Sequence, residues 1–453
     1  MEGRRDTKAG ITRIAIKGFK SLAREVSVDL APLTILAGAN SSGKSSVMQP
    51  LLLLKQTLEA SYDPGSLLLS GPNINFTSAS QFLSSVGTEK AEHLEIAVSS
   101  EGHGVRFVFG KAKRSGIEIV AMEYGSSVGT FTVRPGMNHS QIQDEVPEEY
   151  RRTQNWYSKN LGFSDDDFVG AGKLEWEIVR ERCFLTPHWN LRIKEREDGP
   201  LPWLPAPTAE AVFAPRLTAI IHLPGLRGTP ERTYPVTAVE NKFSGTFPVY
   251  TASVILRWQL DKNYKKLAMV GKDLERLGLA WRVLARQIQD TQVEIEVSRL
   301  PRRSRLIRDY VSIADVGLGL SQVLPLVVAL HAASPGQLVY LEQPEIHLHP
   351  RAQREFAVVL IDAVHRGVRV VVETHSSLLL LGIQTAVAEA KLSSSDVCLH
   401  WFQRDEEGVT SVRSGSLDAT GAFGDWPEDF ADVELESESR YLDAADQMRL
   451  KVQ

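Results

Sequence analysis

LTILAGANSSGKSS (Leu33–Ser46) decides how this chain is read. LTILAG has the unbroken apolar character of a buried strand, and SSVMQPLLLLKQTLEA, from Ser45 on, has the pattern of a helix with Pro50 as its one discordant residue. Between them GANSSGKSS (38–46) fits G-x-x-x-x-G-K-[ST] in the strand–loop–helix context that motif requires. Gly38 and Gly43 let the backbone turn tightly, so amide groups of the loop, including those at Asn40, Ser41 and Ser46, can face phosphate oxygens. Lys44 supplies charge for the β- and γ-phosphates, and the Ser45 hydroxyl suits Mg²⁺. The loop therefore implies a bound nucleoside triphosphate, expected to be ATP with Mg²⁺.

Outward from the loop, ITRIAIKGFKSLAREVSVD and residues 94–135 read as short strands, and a helical pattern is expected over Thr251–Gln289, followed by the strand QVEIEVSRL. The last core elements alternate: helix SQVLPLVVALHAA, strand QLVYLE, helix RAQREFAVVLIDAVHR, strand VRVVVETH. Such alternation, with nearly continuous apolar strands, predicts an α/β fold with a parallel sheet covered on both faces. The expected divisions are 1–100 with the phosphate loop, an insertion and β-rich segment at 101–215, and 216–453 with the later motifs. GPLPWLPAPT (199–208) is a proline-stiffened boundary.

The 453 residues carry a net charge of −5, so any nucleic-acid surface has to be local. Two cysteines, Cys183 and Cys398, make no disulfide framework, and the opening MEGRRDTKAG lacks the apolar region of a signal peptide. The runs LLLLK and LPLVVAL are too short to span a bilayer, so a cytoplasmic protein is expected.

DVGLGLSQVLPLVV (315–328) places Gly317, Gly319, Ser321 and Gln322 at the mouth of a second apolar helix, another site able to hold an anion. LEQPEIHLHP (341–350) closes a buried strand with acidic groups, and the next strand ends in ETHS. The order of these motifs resembles the ATP-binding heads of the ABC superfamily, in the branch shared by chromosome-maintenance ATPases and the OLD-like ATPases of phage defence. ITRIAIKGFKSL resembles the first strand of those heads, and DWPEDF (425–430) resembles a motif near the chain ends of a group of prokaryotic AAA-type ATPases. The resemblance covers roughly 1–100 and 215–435.

It implies an ABC-type head in which a mixed sheet, covered by helices, is joined by an antiparallel β layer. It also implies a homodimer in which Gly317, Gly319, Ser321 and Gln322 of one subunit cap the γ-phosphate on the other. Glu342 falls on the Mg²⁺-associated carboxylate, with Gln81 as a second metal-contacting residue, and His375 on the γ-phosphate-sensing histidine. A separate effector protein, such as a nuclease, is the expected partner.

Gln343 stands where the resembling family has its catalytic glutamate. Three readings stay open: an engineered Glu→Gln change, a native slow ATPase that signals by binding, or a base moved to Glu345 or Glu373. In the resembling group EQPE and ETHS occur together, which favours a native Gln. Glu373 is then the preferred base and Gln343 the residue that orients water. His347 and His349 have the spacing of a metal pair but no third ligand nearby.

Between phosphate loop and second glycine cluster there are no sustained heptads, so a compact α+β insertion is expected instead of a coiled-coil arm. Arg299, Arg302, Arg303, Arg305 and Arg308 form a solvated turn or a contact for nucleic-acid phosphates. LRGTPERTYP (226–235) brings Arg227 and Arg232 as candidates to touch nucleotide. No Glu plus Asp-x-Asp set follows His375, so no Toprim nuclease is expected in the chain. A DNA-binding repair or maintenance ATPase is the alternative to the effector-controlling switch.

Overall fold

Two alternating strands, β1 (Arg13–Lys17) and β2 (Val26–Asp29), lead into β3 (Leu33–Gly38), which is buried at all six positions. The computed structural model describes residues 10–86, 90–112, 116–152, 173–193, 196–201, 208–238, 242–299 and 309–423, with 439, 440 and 442. Arg302, Arg303, Arg305, Arg308 and the DWPEDF stretch lie outside these residues.

Helix α1 (Lys44–Glu59) follows the phosphate loop and keeps Pro50 within it, with Leu51–Leu54 all buried. Strands β4 (His93–Ser100), β5 (His103–Lys111), β6 (Ile117–Ser126) and β7 (Gly129–Val133) come next, then the short helix α2 (His139–Glu145). Together with β1 and β2 the four strands form one antiparallel sheet, ordered β2-β1-β4-β5-β6-β7. Hydrogen bonding thus runs straight across residue 100, and a boundary there divides a single sheet. A three-stranded sheet of β8 (Lys173–Glu181), β9 (Phe184–Ile193) and β10 (Arg196–Leu201) follows, then α3 (Ala209–Thr218) and β11 (Ile221–Leu223).

The expected helix over Thr251–Gln289 is corrected. Helices α4 (Thr251–Leu260) and α5 (Tyr264–Arg276) occupy its first part, and β13 (Arg282–Gln289) is a strand. β13 pairs antiparallel with β14 (Gln292–Ser298), which also holds β12 (Tyr234–Pro235) and β15 (Tyr310–Ser312). Long-range pairing decided it: alternate residues Val283 and Ala285 face the core, and the ladder to β14 overrides local helical preference.

Helix α6 (Leu318–Ala332), β16 (Leu338–Glu342), α7 (Pro350–His365), β17 (Arg369–Glu373) and α8 (Ser377–Ala388) then alternate, ending in the β18 (Val397–Arg404) and β19 (Thr410–Ser416) hairpin. The central sheet runs β11-β16-β17-β3-β18-β19, parallel except for β19. Its residues divide by parity: Ile35, Leu341 and Val372 enter one core, Leu36, Tyr340 and Val371 the other. The fold is therefore α/β, a mixed sheet covered on both faces and accompanied by an antiparallel layer, as expected.

One buried clamp ties the chain that follows the 101–215 region to α1. Lys55, wholly buried, pairs with Glu59 and donates to the carbonyls of Thr218 (3.3 Å) and Phe243 (2.8 Å). Glu59 in turn accepts from the Gly245 amide at 3.0 Å. Removing one partner of such a buried pair costs roughly 3–5 kcal/mol, because the other charge is left uncompensated.

Candidate nucleotide site

β17 lies between β16 and β3, with Glu373 in register with both Glu342 and Leu36. The three strand tips therefore open on the same side, where parallel α/β sheets bind ligands. A cavity of about 570 Å³ sits there, walled by the phosphate loop, Gln49, Gln81, Gln343, Glu373 and His375. Among the described residues Glu373 is the single carboxylate on its wall.

The loop is built by backbone conformations that favour glycine. Gly43 has φ +103°, and a Cβ there would lie 2.6 Å from the Thr410 hydroxyl. At Gly38, φ +143°, a Cβ would meet the Phe402 carbonyl at 2.3 Å. Ser41, Lys20 and Gln343, all lining the cavity, also have positive φ (60°, 49° and 43°).

Lys44 is buried and donates to the carbonyls of Gly38 (3.1 Å) and Ala39 (2.7 Å). Burial lowers its pKa, opposed by the fields of Glu373 and Glu345. The Ser45 hydroxyl donates to Glu373 Oε1 at 2.8 Å, and Tyr340 donates to Glu373 Oε2 at 2.9 Å. Glu373 is 4% exposed; burial, aided by the charge of Glu342, pushes its carboxyl above the usual range despite those donors and Lys44.

Ser45 and Glu342, both expected at Mg²⁺, are not bonded to one another; the Ser45 hydroxyl bonds Glu373. The reason is strand order: Glu342 is two strands from β3, roughly 10 Å away at ordinary strand spacing. Its carboxylate is taken instead by His222 Nε2 (3.1 Å) and the Gly225 amide (3.0 Å). Burial pushes Glu342 up, but His222, Gly225 and Tyr340 outweigh it and hold it below the usual range. Glu345 is also off the cavity wall: its Oε1 accepts from the His375 amide at 2.6 Å, and burial raises its pKa. His375 is half-buried on the wall, its pKa lowered by burial and by Lys44. Gln343 is pinned by its amide to the Glu373 carbonyl at 2.8 Å. Gln81 lines the cavity while accepting from the Thr77 amide at 2.7 Å.

Oxygen donors of the Ser45 and Glu373 kind suit Mg²⁺, a hard cation. His349 caps α7, its Nδ1 accepting from the Arg351 amide at 3.3 Å. Among the described residues no group of three or more His, Cys, Asp or Glu is arranged to hold a metal ion.

Gly317, Gly319, Ser321 and Gln322 lie apart from the cavity within one chain. Gly317 and Leu318 are exposed, whereas Ser321 and Gln322 are buried. The Ser321 hydroxyl donates to Leu318 O at 3.0 Å, and Gln322 donates to Gly228 O at 2.6 Å. Arg232 pairs with Asp315 on the surface, and Arg227 donates to the Glu342 carbonyl at 2.7 Å. Arg299 pairs with Asp309 at 3.1 Å.

Two charged cavity residues escaped the sequence reading. Lys20 donates to Gln49 at 2.7 Å and lies over the Phe19 and Phe76 rings, while burial lowers its pKa. Arg404, on β18, reaches the Ser41 carbonyl at 3.4 Å and the Gly408 carbonyl at 3.0 Å. The lysine in GFKSL was a usable signal; Arg404 had none, since only the β3–β18 pairing brings it there.

Residues 157–381 match the family model described as "AAA domain, putative AbiEii toxin, Type IV TA system", and residues 10–122 match the "AAA ATPase domain" model. A comparison with curated proteins finds no match. Among solved structures, a SmcHead bound to the C-winged helix domain of ScpA is 14% identical, over 90% of this chain and 98% of that one, with a TM-score of 0.46. The SMC head domain from Thermotoga maritima is 11% identical, covering 89% and 98%, with a TM-score of 0.33. A third, an Smc head domain with an extended coiled coil bound to the C-terminal domain of ScpA derived from Pyrococcus furiosus, is 11% identical over 96% and 99%, at 0.45. Both family matches are to AAA domains and the phosphate loop lies within the second, so the chain is an ATPase of the AAA type. Among the described residues no helix is long and apolar enough to cross a membrane.

Proposed function

We propose that the protein is an ATP-driven switch of the OLD-like, ABC-type head group, which dimerises on ATP and controls a separate effector in antiphage defence. The observation that carries the chemistry is Glu373, the single carboxylate lining the cavity among the described residues, 2.8 Å from the Ser45 hydroxyl. In this reading Lys44 and the loop amides hold the phosphates, and His375 faces the γ-phosphate. Mg²⁺, when bound through Ser45 and Glu373, supplies positive charge against the phosphates. Glu373 Oε2 is oriented by Tyr340, and Gln343, fixed to the Glu373 carbonyl, presents its amide to an attacking water. Glu373 accepts the proton of that water.

Three observations support the switch. Gln343 lacks the proton-accepting capacity of a glutamate, which favours slow turnover. The Gly317–Gln322 helix mouth lies away from the phosphate loop within one chain, as a cap supplied to a second copy requires. The match of 157–381 to a model described with AbiEii toxin and a type IV toxin–antitoxin system supports a defence setting. The deciding measurement is ATP turnover of Glu373→Gln and Gln343→Glu. The reading expects the first to lose activity and the second to gain it; full activity in Glu373→Gln refutes the assigned base.

The alternative, direct action on nucleic acid, has Arg299 as its one described arginine from the 299–308 cluster, and Asp309 neutralises it. DNA-stimulated turnover with a steep salt dependence would favour that alternative.

A further inference from the structure

Arg227 carries a buried guanidinium that lies off the wall of the phosphate-loop cavity. Its Nη2 donates to two successive carbonyls of the acidic loop, Glu342 O at 2.7 Å and Gln343 O at 3.3 Å. Its Nε and Nη1 are buried and have no hydrogen-bond partner among the described residues. Glu345 Oε2, two residues beyond Gln343, is also buried and without a partner in hydrogen-bond geometry, although the Thr374 hydroxyl acts to lower the pKa of its carboxyl. Each group feels the other's charge: Arg227 is lowered to about 10 chiefly by burial, with Glu342 and Glu345 opposing, and Arg227 in turn acts to lower Glu345. Leaving buried donors and a buried acceptor orphaned costs stability, since each loses its water without a replacement.

The same short segment grips the second glycine-led helix. Gln322 donates to Gly228 O at 2.6 Å, and Arg227, Ser321 and Gln322 share the wall of a small cavity of about 40 Å³. A Cβ on Gly319 would lie 3.0 Å from the His347 carbonyl, so the helix mouth is also in close contact with the acidic loop. On the far side of that loop, Glu345 Oε1 holds the His375 amide. A continuous set of contacts therefore runs from helix mouth through Arg227 and the acidic loop to His375.

We propose that Arg227 is a positioning residue that couples the mouth of α6 to the acidic loop, the orphaned Nε and Nη1 and Glu345 Oε2 being the two halves of a bond made when the helix mouth is engaged. In the described arrangement the guanidinium rests on backbone carbonyls. In the engaged arrangement it also closes on Glu345, which fixes Gln343 and His375 for the reaction. The inference rests on the ATPase-switch reading above and names the residue by which the helix mouth acts on the site.

The test uses full-length protein with ATP and Mg²⁺ and the variants Arg227→Met, Arg227→Lys, Glu345→Gln and Arg227→Met/Glu345→Gln. Turnover is expected to fall about tenfold or more in each single variant while ATP affinity changes less than about twofold, because an interaction made only on the reaction path is lost. The double variant is expected to be no worse than the poorer single, the signature of two groups acting as a unit. Lysine, keeping the charge but not the fork that reaches several acceptors, is expected not to rescue.

Amide hydrogen exchange is the second readout. ATP is expected to protect residues 318–323 and 343–348 together in the wild type, and in Arg227→Met to protect only one of the two. Additive losses, unchanged turnover, or joint protection retained in Arg227→Met would overturn the coupling. A wild type that binds ATP without turnover refutes the base assignment instead, and the exchange experiment still decides the coupling. Melting temperatures of the variants separate misfolding from lost coupling.

Discussion

Two helices in this protein begin in the same way and end up with different tasks. Both α1 and α6 start just after a glycine, lack a side-chain cap, and so present unpaired backbone amides at their mouths. At α1 the glycine is obligatory: Gly43 sits at φ +103° against Thr410. At α6 it is not: Gly317 has φ −61°, and a Cβ there would meet nothing within 4 Å. The mouth of α1 is furnished with a buried lysine, a serine and a carboxylate, whereas that of α6 is exposed. A helix mouth furnished by its own chain thus contrasts with one left open to solvent. The difference lies in the company of the helix mouth and not in the helix.

The strongest way to break this comparison is to truncate a polar side chain at each mouth. Lys44→Ala is expected to weaken ATP binding roughly 10- to 100-fold by calorimetry or a fluorescent analogue, the scale of a lost charge-assisted bond. Ser321→Ala, far from the cavity, is expected to leave binding to a single chain within about twofold. Equal losses would show that both mouths serve one nucleotide within the chain.

Next comes the glycine pair. Gly43→Ala is expected to cost roughly 1–3 kcal/mol in denaturant unfolding, from the strained backbone and the forced contact with Thr410. Gly317→Ala is expected to be neutral in the same measurement.

A smaller effect separates the mouths by pH. Glu373, beside α1, has a folded pKa above its unfolded value, so its contribution favours the folded state at low pH and is lost as pH rises through the folded pKa. Glu373→Gln is therefore expected to raise the melting temperature of the nucleotide-free protein more at pH 8 than at pH 5. An opposite trend would mean that Ser45, Tyr340 and Lys44 outweigh burial. The smallest effect is at the rim of α6: Arg232→Ala, which removes the exposed pair with Asp315, is expected to leave the melting temperature unchanged.

The phosphate loop was legible because its determinants are local: strand, glycines, lysine and helix fall within fourteen consecutive residues, Leu33–Ser46. The alternation of strands and helices from Leu318 to Glu373 was legible for the same reason. The partner of Ser45 was not, because Glu373 is 328 residues away and only the placement of β17 between β16 and β3 selects it over Glu342. Arg282–Gln289 misled as a helix because a ladder to β14, unseen in local pattern, outweighed its propensity. The orphaned atoms of Arg227 and Glu345 had no sequence signature at all, since burial without a partner is a property of packing.

The clamp at Lys55 has a consequence for how the protein can change over time. It fastens Thr218 and the Phe243–Gly245 stretch to the helix that carries Lys44 and Ser45. Its bonds on that side are all to backbone groups, so side chains at Thr218, Phe243 and Gly245 can change without breaking them, provided the backbone keeps its place.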